Sequence, residues 1–110
     1  MNHPLCRQTV TLYRKTGDEV LRRVAENCFY SWQDCMEERE DGIRFQRKCF
    51  LVTPVEIMPG DRVLEGVGPE IEKSEWTAFL PVYVPTLSEL VYADAKYFLG
   101  RLHHYEGGRK

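Results

Sequence analysis

The sequence lacks the short motifs that usually indicate a catalytic or cofactor site. It contains no glycine-rich phosphate loop, no nucleophile elbow and no paired-carboxylate motif. Its four cysteines include no Cys-x-x-Cys pair, which is the close spacing with which zinc knuckles supply their ligands. The residue types alone therefore predict neither an enzyme nor a bound cofactor.

Long apolar runs and an excess of one charge sign are also missing. No apolar run approaches the roughly 20 residues that a membrane-spanning helix needs. The first residues, Met1–Pro4, lack the basic-then-apolar layout of a signal peptide. A formal charge of -2 gives no support to a non-specific nucleic-acid binder, which normally carries a basic excess. We therefore expect a protein that is made and used in a cytoplasm, without a membrane partner.

The composition is that of one ordinary globular domain. The 110 residues are 43% apolar and 29% charged, which is enough for a hydrophobic core without covalent staples. Four free and mostly buried thiols are expected in a cytosolic chain of this kind, namely Cys6, Cys28, Cys35 and Cys49. The alternative is a metal site that joins Cys28, Cys35 or Cys49 to His103 or His104, and the spacing gives it no support.

Three stretches predict β-strands. Gln8–Arg14 alternates polar and apolar residues, so Val10 and Leu12 should face inward. Ile43–Thr53 is apolar first on one side and later on both, which is typical of a strand entering a buried environment. Arg62–Glu65 follows a tight turn whose residues are Pro59, Gly60 and Asp61.

Two segments permit both a helix and strands. In Glu19–Trp32 the apolar residues recur at helical spacing, although a strand is also possible. Leu87–Glu106 reads either as a capped helix or as two strands, Leu90–Leu99 and Arg101–Glu106, separated by Gly100. The four residues after it, Gly107–Lys110, predict a frayed tail.

Two segments are predicted to be irregular and exposed. Met36–Gly42 is acidic and ends in glycine, which predicts a solvated hairpin loop. Its charged residues are Glu37, Glu38, Arg39, Glu40 and Asp41. Residues 67–87 predict a long excursion, and its aromatic residues Trp76, Phe79 and Tyr83 are candidates for a partner surface.

Charged and histidine clusters offer little chemistry. His103-His104 with Glu106 is the nearest approach to a metal or catalytic cluster. Adjacent residues of a strand point to opposite faces, so the two histidines are not expected to chelate one ion. The basic pair Arg47-Lys48 is predicted to be an ion-pairing surface rather than a phosphate-binding track.

Taken in order, five landmarks resemble a known family. They are Thr9–Tyr13, Arg22-Arg23 leading to Cys28–Trp32, Cys49–Pro54, Gly60–Gly66 and Leu99–Glu106. The chain resembles the small head-tail connector proteins of tailed phages and bacterial prophages, and within them the head-closure, or stopper, type. The most specific part of the likeness is the Gly-Asp-x-Val-x-x-Gly run that begins at Gly60.

This resemblance implies a mainly β fold, a small β-barrel of short antiparallel strands with an irregular excursion at about 67–87. It favours strands in both ambiguous segments. It implies a ring of identical chains below the phage portal and its adaptor, in contact with tail proteins and sterically with packaged double-stranded DNA. It implies no active site, cofactor or small-molecule substrate. The protein would occupy the host cytoplasm during assembly and then the virion, and residues 37–41 would line or gate the ring lumen.

Two other functions compete with this one. A small cytoplasmic β-barrel could bind single-stranded nucleic acid or an oligosaccharide through exposed aromatic residues. The candidates for such stacking are Tyr13, Tyr30, Trp32, Trp76 and Tyr83. A small metal-dependent enzyme that uses His103 or His104 is the third possibility.

Overall fold

A computed structural model describes residues 6–110, and Met1–Pro4 lies outside them. The described residues form seven β-strands and one short 3-10 helix. The strands are β1 (Gln8–Thr16), β2 (Glu19–Arg39), β3 (Gly42–Thr53), β4 (Arg62–Glu65), β5 (Ser88–Glu89), β6 (Tyr92–Phe98) and β7 (Arg101–Arg109), and the 3-10 helix is Lys73–Ala78. The prediction of a mainly β fold is confirmed. No helix in this part of the chain is long and apolar enough to cross a membrane.

All seven strands belong to one antiparallel sheet with the order β5-β4-β1-β2-β3-β7-β6. The sheet is curled but does not close into a barrel, so β5 and β6 are its two edges. The chain crosses from one edge to the other through Leu90 and Val91. The Leu90 N–H donates to the Asp61 carbonyl oxygen at 2.8 Å, and the Val91 N–H donates to the Gly108 carbonyl oxygen at 2.8 Å. The two edges are therefore joined by chain connectivity and not by a hydrogen-bonded ladder.

The long strand β2 connects the two halves of the sheet. Its first half pairs with β1, from Glu19 opposite Thr16 to Cys28 opposite Gln8. Its second half, from Phe29 to Arg39, pairs with β3. Both segments that were ambiguous in the sequence are thus strands, as the family resemblance favoured.

The core fills the space inside the curl. Its main cluster takes residues from both halves of the sheet and includes Val10, Leu12, Ala25, Cys28, Tyr30, Leu51, Ile57, Val63 and Leu90. The inward orientation predicted for Val10 and Leu12 is confirmed, since both are fully buried. The Tyr30 hydroxyl donates to the Thr86 carbonyl oxygen and shares a hydrogen bond with Ser88 Oγ, each at 2.6 Å. This buried phenol ties the sheet to the end of the excursion.

The four cysteines are free thiols, as predicted, and three of them are buried. Burial raises the pKa of the Cys28 and Cys49 thiols, which keeps both in the unreactive neutral form. Within residues 6–110 no group of three or more His, Cys, Asp or Glu side chains could hold a metal ion.

The predicted turn at Gly60 organises the excursion. Gly60 has a φ of +94° and its N–H donates to the Leu90 carbonyl oxygen at 2.7 Å. The neighbouring Arg62 is buried, and its Nη1 donates to the carbonyl oxygens of Trp76 and Phe79 at 2.7 and 2.6 Å. Its guanidinium also lies 3.7 Å from the centre of the Trp76 ring. Apart from the 3-10 helix, residues 67–87 are irregular as predicted.

The C-terminal residues correct one prediction. Gly107 and Gly108 are buried within β7, which pairs with β3 on one side and β6 on the other. The frayed tail predicted for Gly107–Lys110 is therefore wrong, because β7 continues to Arg109. The two glycines are needed where neighbouring backbones and side chains leave no room for a Cβ atom.

Candidate assembly surfaces on two opposed hairpin arms

The β2–β3 hairpin extends well beyond the body of the sheet. β7 pairs with β3 only from Cys49 to Thr53, so residues 33–48 form a two-stranded ribbon, named here the acidic arm. Seven residues in its returning strand give a length of about 23 Å. A two-stranded ribbon exposes both of its backbone edges, and such edges commonly pair with other strands.

Strand pairing at the tip corrects the predicted loop. Glu37, Glu38 and Arg39 belong to β2 and pair with residues of β3, so only Glu40 and Asp41 form the turn. The predicted loop over Met36–Gly42 is therefore wrong in its extent. The physical reason is that the backbone pairing of β2 with β3 continues through the charged residues as far as Arg39 opposite Gly42.

The tip carries a net negative charge, as the sequence indicated. Four acidic residues and two arginines within residues 36–45 leave a formal charge of -2. Arg39 pairs with Glu37 at 3.0 Å and Arg44 pairs with Asp41 at 2.9 Å. Among the described residues Glu38 and Glu40 make no ion pair, so their carboxylates are available to a partner.

One face of the β2–β3 hairpin carries apolar pairs on both sides of an ion pair. Tyr30–Leu51, Trp32–Cys49 and Met36–Phe45 lie on this face, and Asp34–Arg47 lies between the second and the third of them. The first pair is buried in the core, whereas Met36 is 73% exposed. Ile43, nearer the tip, is exposed on the same face. The side of the sheet that faces the core thus continues into solvent, which is typical of a contact surface.

Arg47 fixes the base of the acidic arm. Its buried guanidinium makes an ion pair with Asp34 at 2.5 Å and donates to the carbonyl oxygens of Val84 and Leu87 at 3.0 and 2.8 Å. It also lies 5.0 Å from the centre of the Trp32 ring. The hydrogen bond from Arg47 lowers the pKa of the Asp34 carboxyl group, so the pair remains ionised at neutral pH. The sequence indicated Arg47 only as an ion-pairing surface residue.

The β6–β7 hairpin forms a second arm that points the opposite way. β7 pairs with β3 only from Tyr105 onward, so the earlier residues of β7 pass beyond Thr53, at the end of β3 opposite the acidic arm. Residues 96–104 form the distal part of this hairpin and are named here the basic arm. The longest dimension of the molecule is 48 Å, which matches two arms placed end to end along β3 and β7.

The basic arm is apolar and positively charged. Lys96 and Arg101 are its charged residues apart from the histidines, which gives a formal charge of +2 with neutral histidine. Its large exposed apolar side chains are Tyr97, Phe98, Leu99 and Leu102. At the tip, Leu99 is 87% exposed and has a φ of +51°. A leucine that is both exposed and in the left-handed region is unfavourable in the isolated chain.

We expect Leu99→Asn to stabilise the isolated chain by about 0.5–1 kcal/mol. Asparagine accepts the left-handed conformation, and Asn-Gly is the preferred sequence for a two-residue turn of this kind. Urea unfolding measures the change in the free energy of unfolding. Leu99→Ala is the matched control, because it removes the same apolar atoms but keeps the backbone strain. Equal stabilities of the two variants would contradict the prediction.

A β-bulge in the basic arm brings two histidines together. The register between β6 and β7 shifts at Lys96, which lies opposite His104, while Tyr97 lies opposite Leu102. His103 is the extra residue, and its Nδ1 lies 2.7 Å from Nδ1 of His104. The prediction that the two side chains point to opposite faces is therefore wrong. His104 Nε2 also lies 2.7 Å from Glu106 Oε2.

The excursion offers a smaller partner surface than the sequence indicated. Phe79 is only 6% exposed and packs edge-on against Tyr13, with ring centres 4.8 Å apart. Trp76 is half-buried against Arg62. Tyr83 is 71% exposed, so of the three predicted aromatic residues it alone projects freely.

Fewer aromatic side chains are exposed for stacking than the nucleic-acid or oligosaccharide hypothesis predicts. Tyr13 and Tyr30 are buried in the core and their hydroxyl groups bond within the chain. Comparisons of the chain with protein-family models, with curated proteins and with solved structures give no match.

Proposed function

We propose that this chain is a noncatalytic structural protein of tailed phages or prophages, a head-closure connector. It forms a ring below the portal and its adaptor and helps to retain packaged DNA. The observation that carries the proposal is the pair of opposed arms, each with exposed apolar side chains and opposite charge. A protein with contact surfaces at both ends is suited to link neighbouring copies and the components above and below them.

The acidic arm is the element best suited to reach the lumen of such a ring. Its base is held by Arg47, its ribbon extends about 23 Å from the body, and its tip is net negative. A negative tip repels DNA phosphates over about 10 Å at ordinary ionic strength, so DNA would slide past without adhering. The bulk of the arm, rather than its charge, would then obstruct the exit of DNA.

We expect a shortened acidic arm to leave the fold intact but to release packaged DNA. The variant replaces residues 38–43 with Asn-Gly, which closes the directly paired Glu37 and Arg44 with a favourable two-residue turn in the same hydrogen-bond phase as the natural closing pair. Because the removed residues lie outside the core, the free energy of unfolding should change by less than about 1 kcal/mol. The measurement is the DNA content of particles assembled with the variant.

The matched control keeps the length of the arm and removes charge only. Glu37→Gln/Asp41→Asn removes two carboxylates that are paired within the arm and should leave particles full, because the side-chain volumes are almost unchanged. Full particles from the shortened variant, at normal protein incorporation, would overturn the proposed function.

A further inference from the structure

We infer that the acidic arm of one copy binds the basic arm of the next, so that identical chains join head to tail. This deepens the proposed function and rests on it for its place in the particle: the acidic arm contacts the next copy along its ribbon, and its bulk still occupies the lumen. The partner is a second copy of this chain, because the two arms point away from each other and cannot meet within one molecule.

Charge complementarity is the first argument. The whole acidic arm, residues 33–48, carries a formal charge of -1, its distal residues 36–45 carry -2, and residues 96–104 of the basic arm carry +2. Four of the responsible side chains make no ion pair among the described residues: Glu38, Glu40, Lys96 and Arg101. Opposite potentials on two ends of one molecule attract unlike ends of separate copies.

The backbone and the apolar side chains give the second argument. Both arms are two-stranded ribbons, and in the described residues no third strand covers their distal edges. An edge of one arm can therefore extend the other by strand addition. Exposed Met36 and Ile43 on the acidic arm, and Phe98 and Leu99 on the basic arm, supply apolar area for such a contact.

Like charges also exclude the wrong pairings. Two acidic arms repel each other, and so do two basic arms, which leaves only the unlike combination. A contact between two different surfaces of the same protein is heterologous, and it produces a ring if the rotation closes or a filament if it does not. Head-to-tail joining thus gives the arrangement that a ring-shaped connector requires.

The test is the self-association of the purified full chain, measured by sedimentation velocity over a range of concentrations and salt. We expect association that weakens as salt is raised, because exposed charges are screened. Two variants reverse one arm each: Glu38→Lys/Glu40→Lys makes both arms positive, and Lys96→Glu/Arg101→Glu makes both negative. Each variant alone should associate at least about tenfold more weakly than the parent chain.

An equimolar mixture of the two reversed variants should associate again. In the mixture every positive arm finds a negative arm on the other variant, so restored association identifies the pairing of arms rather than a general effect of charge. The control Glu19→Lys/Glu70→Lys makes the same charge change at exposed positions away from both arms and should associate like the parent. Fold integrity of each variant is checked by circular dichroism.

Three results would overturn the inference. The first is a parent chain that stays monomeric at about 1 mM in low salt, where even weak specific contacts are populated. The second is unaltered association of both reversed variants. The third is an equimolar mixture of the reversed variants that stays dissociated. None of these would by itself remove the proposed function, which the DNA content of particles tests separately. Conversely, restored association of the mixture would establish the contact between arms even if shortened arms retained DNA.

Discussion

Asp61→Ala should destabilise the fold by about 3–5 kcal/mol, the usual cost of removing one partner from a buried ion pair. The Asp61 carboxylate is almost fully buried and accepts from Arg14 Nε and Nη2, each at 2.7 Å. It also accepts from the Met58 N–H at 2.9 Å, which holds the turn before β4. Arg23 Nη2 lies 3.6 Å away and has no hydrogen-bond partner among the described residues. Without the carboxylate, the guanidinium groups of Arg14 and Arg23 would keep only the half-exposed Glu56 as a counter-charge.

Urea unfolding of Asp61→Ala against the parent chain gives the size of this loss. The control is Glu56→Ala, which removes the second carboxylate bound to Arg14, at 2.7 Å. Glu56 is about half exposed, so its removal should cost less than about 1 kcal/mol. If both variants lost a similarly small free energy of unfolding, burial of Asp61 would not strengthen its ion pairs.

The second large effect is expected from Gly108→Ala, with a loss of about 2–3 kcal/mol. A Cβ at this position would overlap the carbonyl oxygen of Cys49 and approach the Tyr92 hydroxyl oxygen to 3.0 Å. Because Gly108 pairs with β3 and β6 at once, the backbone cannot shift away from one strand without moving towards the other. The ladder that holds the basic arm to the body would be strained.

Gly100→Ala is the comparison, since it adds the same atom where nothing lies within 4 Å. Its cost comes only from a φ of +77° and should be about 1 kcal/mol. Hydrogen exchange of the β6 and β7 amides should also quicken in Gly108→Ala. A smaller loss for Gly108→Ala than for Gly100→Ala would contradict the steric argument.

The helical spacing in Glu19–Trp32 has a structural origin that the sequence conceals. Asn27 has a φ of +58° and lies at a bulge where the register between β1 and β2 shifts. Buried positions therefore occur at Ala25, Cys28 and Tyr30, with a step of three where a regular strand would have a step of two. A step of three also occurs in a helix, so periodicity alone favoured a helix for this segment. The family resemblance favoured a strand, which is the element present.

Charged and small residues were the other source of error. Acidic residues and glycine are uncommon in strands, so Met36–Gly42 was predicted as a loop and Gly107–Lys110 as a tail. In the first case the backbone ladder continues to Arg39 opposite Gly42, and the ion pairs Glu37–Arg39 and Asp41–Arg44 offset part of the negative charge. In the second, glycine is required by close approach of neighbouring strands, which depends on residues about 60 positions earlier in the chain. Neither cause is visible in a local window.

The candidate site was predicted in part. The exposed acidic hairpin tip and the turn at Gly60 follow from local residue types and are present in the structure, while the role of the tip in a ring lumen stays a prediction. The roles of Arg47 and Arg62 could not be predicted, because each guanidinium bonds to carbonyl oxygens that only the folded chain brings near. The apolar run Tyr97–Leu99 beside lysine and arginine is a local signal for the basic arm. The signal was missed because Leu87–Glu106 permitted a helix as well as two strands.

The unbroken course of β2 also determines how the molecule would respond to force. A pull on the acidic arm along its own axis acts on the β1–β2 ladder from Glu19 to Cys28 in shear, so its hydrogen bonds bear the load together. A sideways pull would instead peel β3 from β7 one bond at a time. The acidic arm should therefore resist a pull along the strand and yield to a sideways pull, because the strand that anchors it runs through both halves of the sheet.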